Sequence, residues 1–341
     1  MRKFTFLTAA VAAALALTAC SGPTSSDSTG GSAESAGTPV TIAMATPSCL
    51  VFYPAYVAKE QGFFAEQGLD VTIQGLNGSA AVIQAMLAGQ AQIGTPGAVP
   101  LVLAQADGEN FQYFANAAPG GLFQLVSPTE NGMADASALS GGTIGVATAD
   151  GNEVSFAKAI MTAAGVAEGD YEFLVVGEGG QAVAGFQRGD IDAYAASLDA
   201  VATIEYAGIP IDNLTGTATA YLFGNGLAAT AEYVTQSPEV LTSFGKAYKQ
   251  AVEFSADNPD AVFDACAEYQ PQEVEDRDYA LALFEAIKGS LVSPDSDPFG
   301  YNNPAYWEQV VADVAVTGDI QADDIVVDDL YTNEFVDGFN Q

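Results

Sequence analysis

Between Tyr53 and Ile73 the chain reads YPAYVAKEQGFFAEQGLDVTI, and its two glycines dictate a particular order of elements. Pro54 suits the first turn of a helix, where a missing N–H costs nothing. Ala55 to Gln61 continue helically, and Gly62 stops them as a left-handed cap. Phe63 and Phe64 bury a second short turn, which Gly68 ends, and the β-branched Val71, Thr72 and Ile73 begin a strand. Helix, cap, helix, cap, strand is the grammar of an α/β layer, and the rest of the chain can be read for the same alternation.

Val40–Met44 is the first strand, followed by a loop over 46–53. After the strand at 71–73, Ser79 suits an N-cap, Val82, Ile83, Met86 and Leu87 form one apolar face, and Gly89 caps the helix. A short strand near Ala91–Gly94 leads through Thr95-Pro96-Gly97-Ala98 to a helix over 99–106 and a strand over 111–116. Phe123–Val126 is strand again. Gly142–Ala147 then begins a second strand–loop–helix unit, with Asp150-Gly151-Asn152 as caps and Gly165 as stop. A strand at 171–176 and G-E-G-G-Q-A-V-A-G-F-Q-R-G-D-I-D-A-Y repeat the earlier logic. Gly89-Gln90-Ala91-Gln92 aligns with Gly189-Asp190-Ile191-Asp192, as if one unit were used twice. Ala218–Phe223 and Leu227–Thr230 read as strands. Beyond them Pro238–Ser255, Pro259–Ala267, Arg277–Lys288 and Pro304–Val316 carry helical periodicity, three of them opening on Pro.

The chain of 341 residues can bury a large core in two lobes. Its N-terminus differs from the rest. Arg2 and Lys3 precede an apolar run from Phe4 to Leu17, then Thr18-Ala19-Cys20, which is the layout of a cleaved signal over residues 1–19. L-T-A-C looks like a bacterial lipoprotein box, in which Cys20 is acylated (palmitate) and becomes the mature N-terminus; the other reading is a short uncleaved anchor. Residues 20–38, mostly Ser, Gly, Thr, Ala and Pro, read as a flexible tether reaching roughly 23 Å. The formal charge is −34, and residues 1–19 contribute two of the nine bases and no acid. Nucleic acid is excluded as a partner, because a phosphate backbone would be repelled. Past residue 38 the only arginines are Arg188 and Arg277, so an arginine-clamped anion site has few donors. Histidine is absent, which excludes Ser-His-Asp and Cys-His catalysis and any histidine-ligated metal. The acid-rich stretch over 319–329 lacks the spacing of a calcium loop, so no metal is expected there. Cys49 and Cys266 are either a disulfide or two buried thiols.

As a string, A-K-E-Q-G-F-F-A-E-Q-G-L-D-V closely resembles the extracytoplasmic receptors for nitrate, sulfonates, taurine and thiamine-pyrimidine precursors, a family that shares a domain with pyrimidine synthases. The N-G-S helix start, G-D-I-D-A and N-N-P-A-Y-W-E-Q-V-V extend the resemblance over about residues 39–337. Gln92 departs from the pattern, standing where an acid is common. The resemblance implies an α/β fold of the type II periplasmic-binding-protein class, with two lobes joined by two crossing strands near Gln124–Pro128 and Gly226–Thr230. Lobe one is then 39–126 plus 228–337, and lobe two 127–227, with a ligand held between them past the strand ends.

Candidate ligand-binding residues follow from those positions. Gly78 and Ser79 in lobe one, and Asn152 and Glu153 in lobe two, sit at helix N-termini, which offer N–H groups and partial positive charge beside their ordinary capping role. Thr95 and Ala98 occupy the equivalent loop after the next strand. Phe52 and Tyr53 can stack a planar ligand or pack in the core. Tyr194, Ser197 and Asp199 follow a second-lobe strand, and Tyr221 and Asn225 precede the return crossing. Asp199 favours a cationic or N–H-rich ligand over an anion, unless it is one more surface acid. The expected protein is a monomeric, lipid-anchored receptor on the outer face of the cell membrane, passing a small molecule to an ABC permease and its ATPases. It requires no cofactor and no catalytic residue. The ligand expected is a heteroaromatic such as a thiamine pyrimidine precursor, with sulfonate or nitrate next. The other classes are a pyrimidine-synthase-like enzyme, which would need the missing histidine, and a surface lipoprotein without a transport role.

Overall fold

The computed structural model describes residues 37–149, 152–216, 221–293, 295–317 and 320–341. The signal, Cys20 and most of the tether lie outside them, as do the caps Asp150 and Gly151 and the side chain of Asn152. The strands are β1 (Thr38–Met44), β2 (Leu69–Gly75), β3 (Ile93–Gly94), β4 (Phe111–Ala115), β5 (Phe123–Pro128), β6 (Thr143–Val146), β7 (Glu172–Val175), β8 (Ala193–Ser197), β9 (Ile211–Asn213) and β10 (Leu227–Thr230). They form two five-stranded sheets, ordered β2-β1-β3-β10-β4 and β7-β6-β8-β5-β9. In each sheet the antiparallel strand in fourth place is the one that has just crossed from the other lobe. β5 runs antiparallel to β8 and β9, and β10 antiparallel to β3 and β4. This is the expected α/β architecture of two lobes joined by two crossing strands. Tyr221–Phe223 is not strand, although an apolar run is expected to extend there.

The helices that accompany these strands are α1 (Tyr53–Glu60), α2 (Phe63–Glu66), α3 (Ser79–Leu87), α4 (Ala98–Ala106), α5 (Asn152–Ala163), α6 (Gly180–Arg188) and α7 (Leu198–Tyr206). The 53–73 stretch folds as its glycines require. Gly62 has φ 81° between α1 and α2, and Gly68 has φ 74° before β2, a backbone region that side chains with a Cβ disfavour. Phe63 and Phe64 are buried by the later helices, Phe63 against Phe254 and Phe64 against Phe244. Those helices are α8 (Ala231–Gln236), α9 (Pro238–Asp257), α10 (Pro259–Tyr269), α11 (Arg277–Ser290), α12 (Pro304–Thr317) and α13 (Val336–Phe339). α9, α10 and α11 share one apolar cluster with α1, and a Cys49–Cys266 disulfide ties the loop after β1 to α10. α12 covers the sheet's other face, where Trp307 packs edge-on against Tyr113 and Phe223. A Cβ at Gly226 would overlap the Tyr113 ring, so the return crossing passes this aromatic only because it has no side chain there.

The two lobes use matched devices where their first strands meet their third. In lobe one, Gln92 Oε1 accepts the Thr41 N–H at 2.9 Å while Gln92 donates its own N–H to Thr41 O. In lobe two, Asp192 Oδ2 accepts the Thr143 N–H at 2.8 Å and its N–H goes to Thr143 O. The lobes touch through α7 and α11. Leu198 and Ala202 of α7 are buried in the same cluster as Leu283 and Phe284 of α11. Thr203 Oγ1 lies 3.2 Å from the Tyr279 hydroxyl, Tyr206 stacks edge-on against Tyr279, and the Tyr206 hydroxyl donates to Asp276.

Candidate functional site

Strand direction decides where the loops gather. β1, β2, β3 and β4 run the same way, so the loops after Met44, Gly75, Gly94 and Ala115 leave one edge of the first sheet. In the second sheet the loops after β6, β7 and β8 share an edge for the same reason. Open α/β sheets bind ligands beyond such edges, where backbone N–H groups at helix starts are not consumed by the ladder.

The first-lobe candidates form one hydrogen-bonded set. Thr95 is 2% exposed and its Oγ1 accepts the Ala45 N–H at 3.1 Å. Thr95 O accepts from Asn225 Nδ2 at 2.6 Å, which joins the return crossing to the loop after β3. Ser79 is the first residue of α3 and not its cap. Gly78 takes the cap position with φ 88°, and Ser79 Oγ accepts the Gly97 N–H at 3.0 Å. The hydroxyl thus fastens the start of α3 to the start of α4, where Ala98 is buried. The first residues of two helices are brought side by side.

The second-lobe candidates surround Tyr194. Its ring is buried and its hydroxyl donates to Gly177 O at 3.0 Å. Burial pushes its pKa far above the usual tyrosine value, and the nearby carboxylates Glu178, Glu153 and Asp199 push it the same way. Glu153, 8% exposed, accepts both the N–H and the Oγ1 hydrogen of Thr148, at 2.9 and 3.1 Å. Asn152 opens α5 beside it. Ser197 is the N-cap position of α7 and is half-buried, as is Asp199 in the helix's first turn. Across the contact, burial raises the pKa of Tyr279, and Asp199 and Glu273 raise it further. Glu273 also accepts the Leu50 N–H at 2.9 Å, at the loop after β1.

Three candidates lie apart from these sets. Tyr53 is fully buried against Phe284, its rings 5.2 Å apart, with a hydroxyl that has no partner among the described residues. Phe52 belongs to the same core cluster. Tyr221 donates its hydroxyl to Asp313 of α12. Four further residues stand at the site that the sequence does not single out: Glu178, Glu273, Thr203 and Tyr279. Glu178 sits within the noted G-E-G-G run, whereas Glu273 and Tyr279 come from the helical C-terminal half and carry no local signal.

The charge of the site is one-sided. Arg188 pairs with Asp190 at 2.6 Å at the far end of α6, and Arg277 pairs with Asp260 over the Phe263 ring. Lys158, Lys249 and Lys288 pair with Glu168, Glu253 and Glu285. Among the described residues no lysine or arginine is hydrogen-bonded or ion-paired to a candidate residue.

Over residues 50–262 the chain matches the family described as NMT1/THI5 like. It is 23% identical over 360 aligned residues to the riboflavin-binding protein RibY of Chloroflexus aurantiacus, the alignment covering 99% of each chain. Its fold is similar to that of the periplasmic aliphatic sulphonate binding protein SsuA from Escherichia coli, with a TM-score of 0.66 at 12% identity over 82% of this chain and 86% of that one. It is also similar to the periplasmic nitrate-binding protein NrtA from Synechocystis PCC 6803, with a TM-score of 0.62 at 15% identity over 88% and 87% of the two chains.

Proposed function

The chain belongs to the NMT1/THI5-like family, and on that premise we propose that it is the extracytoplasmic solute receptor of an ABC importer. The lobes close on a small molecule, and the closed form delivers it to the permease. The work is a shift between open and closed states, driven by the solute's tighter grip on the closed one. Cys20 carries the lipid and residues 21–38 the slack that keeps the receptor near the membrane. No reaction is assigned to it. Absence of histidine from the whole chain speaks against the pyrimidine-synthase alternative.

The solute is a neutral or weakly basic heteroaromatic, of the kind a flavin or a thiamine pyrimidine precursor represents. One observation carries this reading: carboxylates Glu178, Glu153 and Asp199 crowd Tyr194, while the arginines pair elsewhere. A desolvated anion would meet like charge there; an N–H-rich ring would meet acceptors. The 23% identity to a protein named for riboflavin agrees in direction. A sulfonate or nitrate is the second reading, supported by the paired helix starts at Ser79 and Ala98, since helix N-termini hold anions without a cation.

Calorimetric titration with riboflavin, an aminopyrimidine, an alkanesulfonate and nitrate tests both levels. A heterocycle is expected to bind with the anions inert, and Asp199→Asn is expected to weaken it about tenfold, the loss of one charged hydrogen bond. Binding of anions alone overturns the ligand; no binding by any solute of these classes overturns the receptor.

A further inference from the structure

Taking the chain as a receptor, we propose that Tyr113, a buried side chain that no solute reaches, is a positioning residue of the strand-end site. With Asn225 it makes the solute loop over 95–98 take its place from the return crossing.

That loop cannot satisfy its own backbone. Pro96 has no N–H, and the Thr95 and Gly97 N–H groups go to Ala43 O at 2.9 Å and Ser79 Oγ at 3.0 Å. The carbonyls of Thr95 and Pro96 remain, both residues are buried, and a buried carbonyl needs a donor. Both donors come from outside the loop. Asn225 Nδ2 donates to Thr95 O at 2.6 Å, and the Tyr113 hydroxyl donates to Pro96 O.

Both donors also belong to the hinge. Asn225 is in the return crossing itself. Tyr113 stands on β4 opposite Ala228 of β10, and Gly226 lies against its ring and hydrogen-bonds through its backbone to its hydroxyl. Just before them, the Gly224 N–H donates to Ala118 O at 2.7 Å, in the segment that leaves for the second lobe. Outgoing segment, return crossing and loop are therefore joined in series. A rotation taken up at 224–226 reaches the two loop carbonyls through one hydrogen bond each. The loop in turn carries the start of α4. Helix geometry leaves the first N–H groups without an acceptor in the helix, and Pro100 has none, so those of Ala98 and Val99 are what α4 offers a solute. Tyr113 is 0% exposed beneath Trp307 and Phe223, so it acts only through the loop.

Three variants of the intact protein test this. Tyr113→Phe removes the hydroxyl and keeps the ring, and Asn225→Ala removes the second donor. Phe114→Leu is the control: it weakens the same strand from the sheet's other face, where Phe114 packs on Phe335 and Phe339. Hydrogen exchange of the solute-free protein is expected to be about fivefold faster across 95–101 in the first two, and unchanged there in Phe114→Leu. Direct contact of Asn225 with a solute would not produce that change. Riboflavin, an aminopyrimidine, an alkanesulfonate and nitrate are then titrated. Whichever binds the wild type is expected to bind the first two variants about tenfold more weakly. Phe114→Leu is expected to keep wild-type affinity while lowering the urea midpoint. Unchanged exchange across 95–101 in Tyr113→Phe or Asn225→Ala overturns the proposal, as does wild-type affinity in either. Equal effects of Phe114→Leu on exchange or affinity would reduce Tyr113 to a structural residue and overturn it too. If exchange responds as expected while none of the four probes binds, the receptor reading fails and the coupling of loop to crossing stands.

Discussion

Where a strand is too short to complete its ladder, one side chain can take the next rung, and residues 92 and 192 do this in their respective lobes. Gln92 offers a neutral amide oxygen to Thr41, and Asp192 offers a carboxylate to Thr143. Charge-assisted bonds are the stronger kind. Asp192→Ala is expected to cost about 2 kcal/mol and Gln92→Ala about 1 kcal/mol, read as shifted urea midpoints. The pairing shows how Gln92 serves where the resemblance leads one to expect an acid: an amide oxygen accepts the same N–H. The Gly-x-x-Gln and Gly-x-x-Asp spacing is visible in the string, but the partner of each, some fifty residues earlier, is not. Ser79 illustrates the same limit. A serine that caps its own helix and one that reaches Gly97 in the next loop are spelled alike, and only the neighbouring strand end distinguishes them. Tyr53 follows a strand loop in sequence yet faces Phe284, because the later helices close over the face it presents.

Among the elements, α7 is the one with least advance notice. It follows β8 with no glycine or proline between, so nothing in the string marks where the strand ends and the helix begins. Its partner α11 lies far along the chain and is announced only by its own periodicity. Their contact joins the lobes beyond the two crossing strands, and the exposed Asp276 sits at its edge. That carboxylate accepts the Tyr206 hydroxyl and caps α11 through the N–H groups of Asp278 and Tyr279. The Tyr206 hydrogen bond and then the Tyr279 N–H hold its pKa below the usual aspartate value. A depressed folded pKa gives stability that is full above the ordinary carboxylate range and fades as pH falls towards the lowered value. Urea midpoints measured from pH 7 down to pH 3 are therefore expected to fall more steeply in the wild type than in Tyr206→Phe. Parallel curves would remove Tyr206 from the acid response.

For the whole molecule, the sequence carries the two-lobe plan well, because glycine caps and β-branched runs are local signals and each α/β unit repeats them. It carries the C-terminal half less well. Three of the prolines at helix starts mark where helices begin, yet nothing nearby states that α9 to α11 pack on α1. The Cys49–Cys266 bond makes that packing covalent across 217 residues. By the loop-entropy argument such a closure contributes up to about 5 kcal/mol, and reduction, or Cys49→Ser with Cys266→Ser, is expected to remove 2–5 kcal/mol on the same scale. Denaturant unfolding with and without a reductant measures it. The order of the sheets also has a consequence for how the chain is made. Strands β5 to β9 come from one uninterrupted span, so the second sheet can complete its hydrogen bonds as soon as Asn213 is available. The first sheet cannot. Its strand β10 belongs between β3 and β4, and until Leu227 arrives both keep an unpaired edge facing the gap. A nascent chain emerging N-terminus first therefore finishes its second lobe before its first, and the half that starts the protein is the last to close.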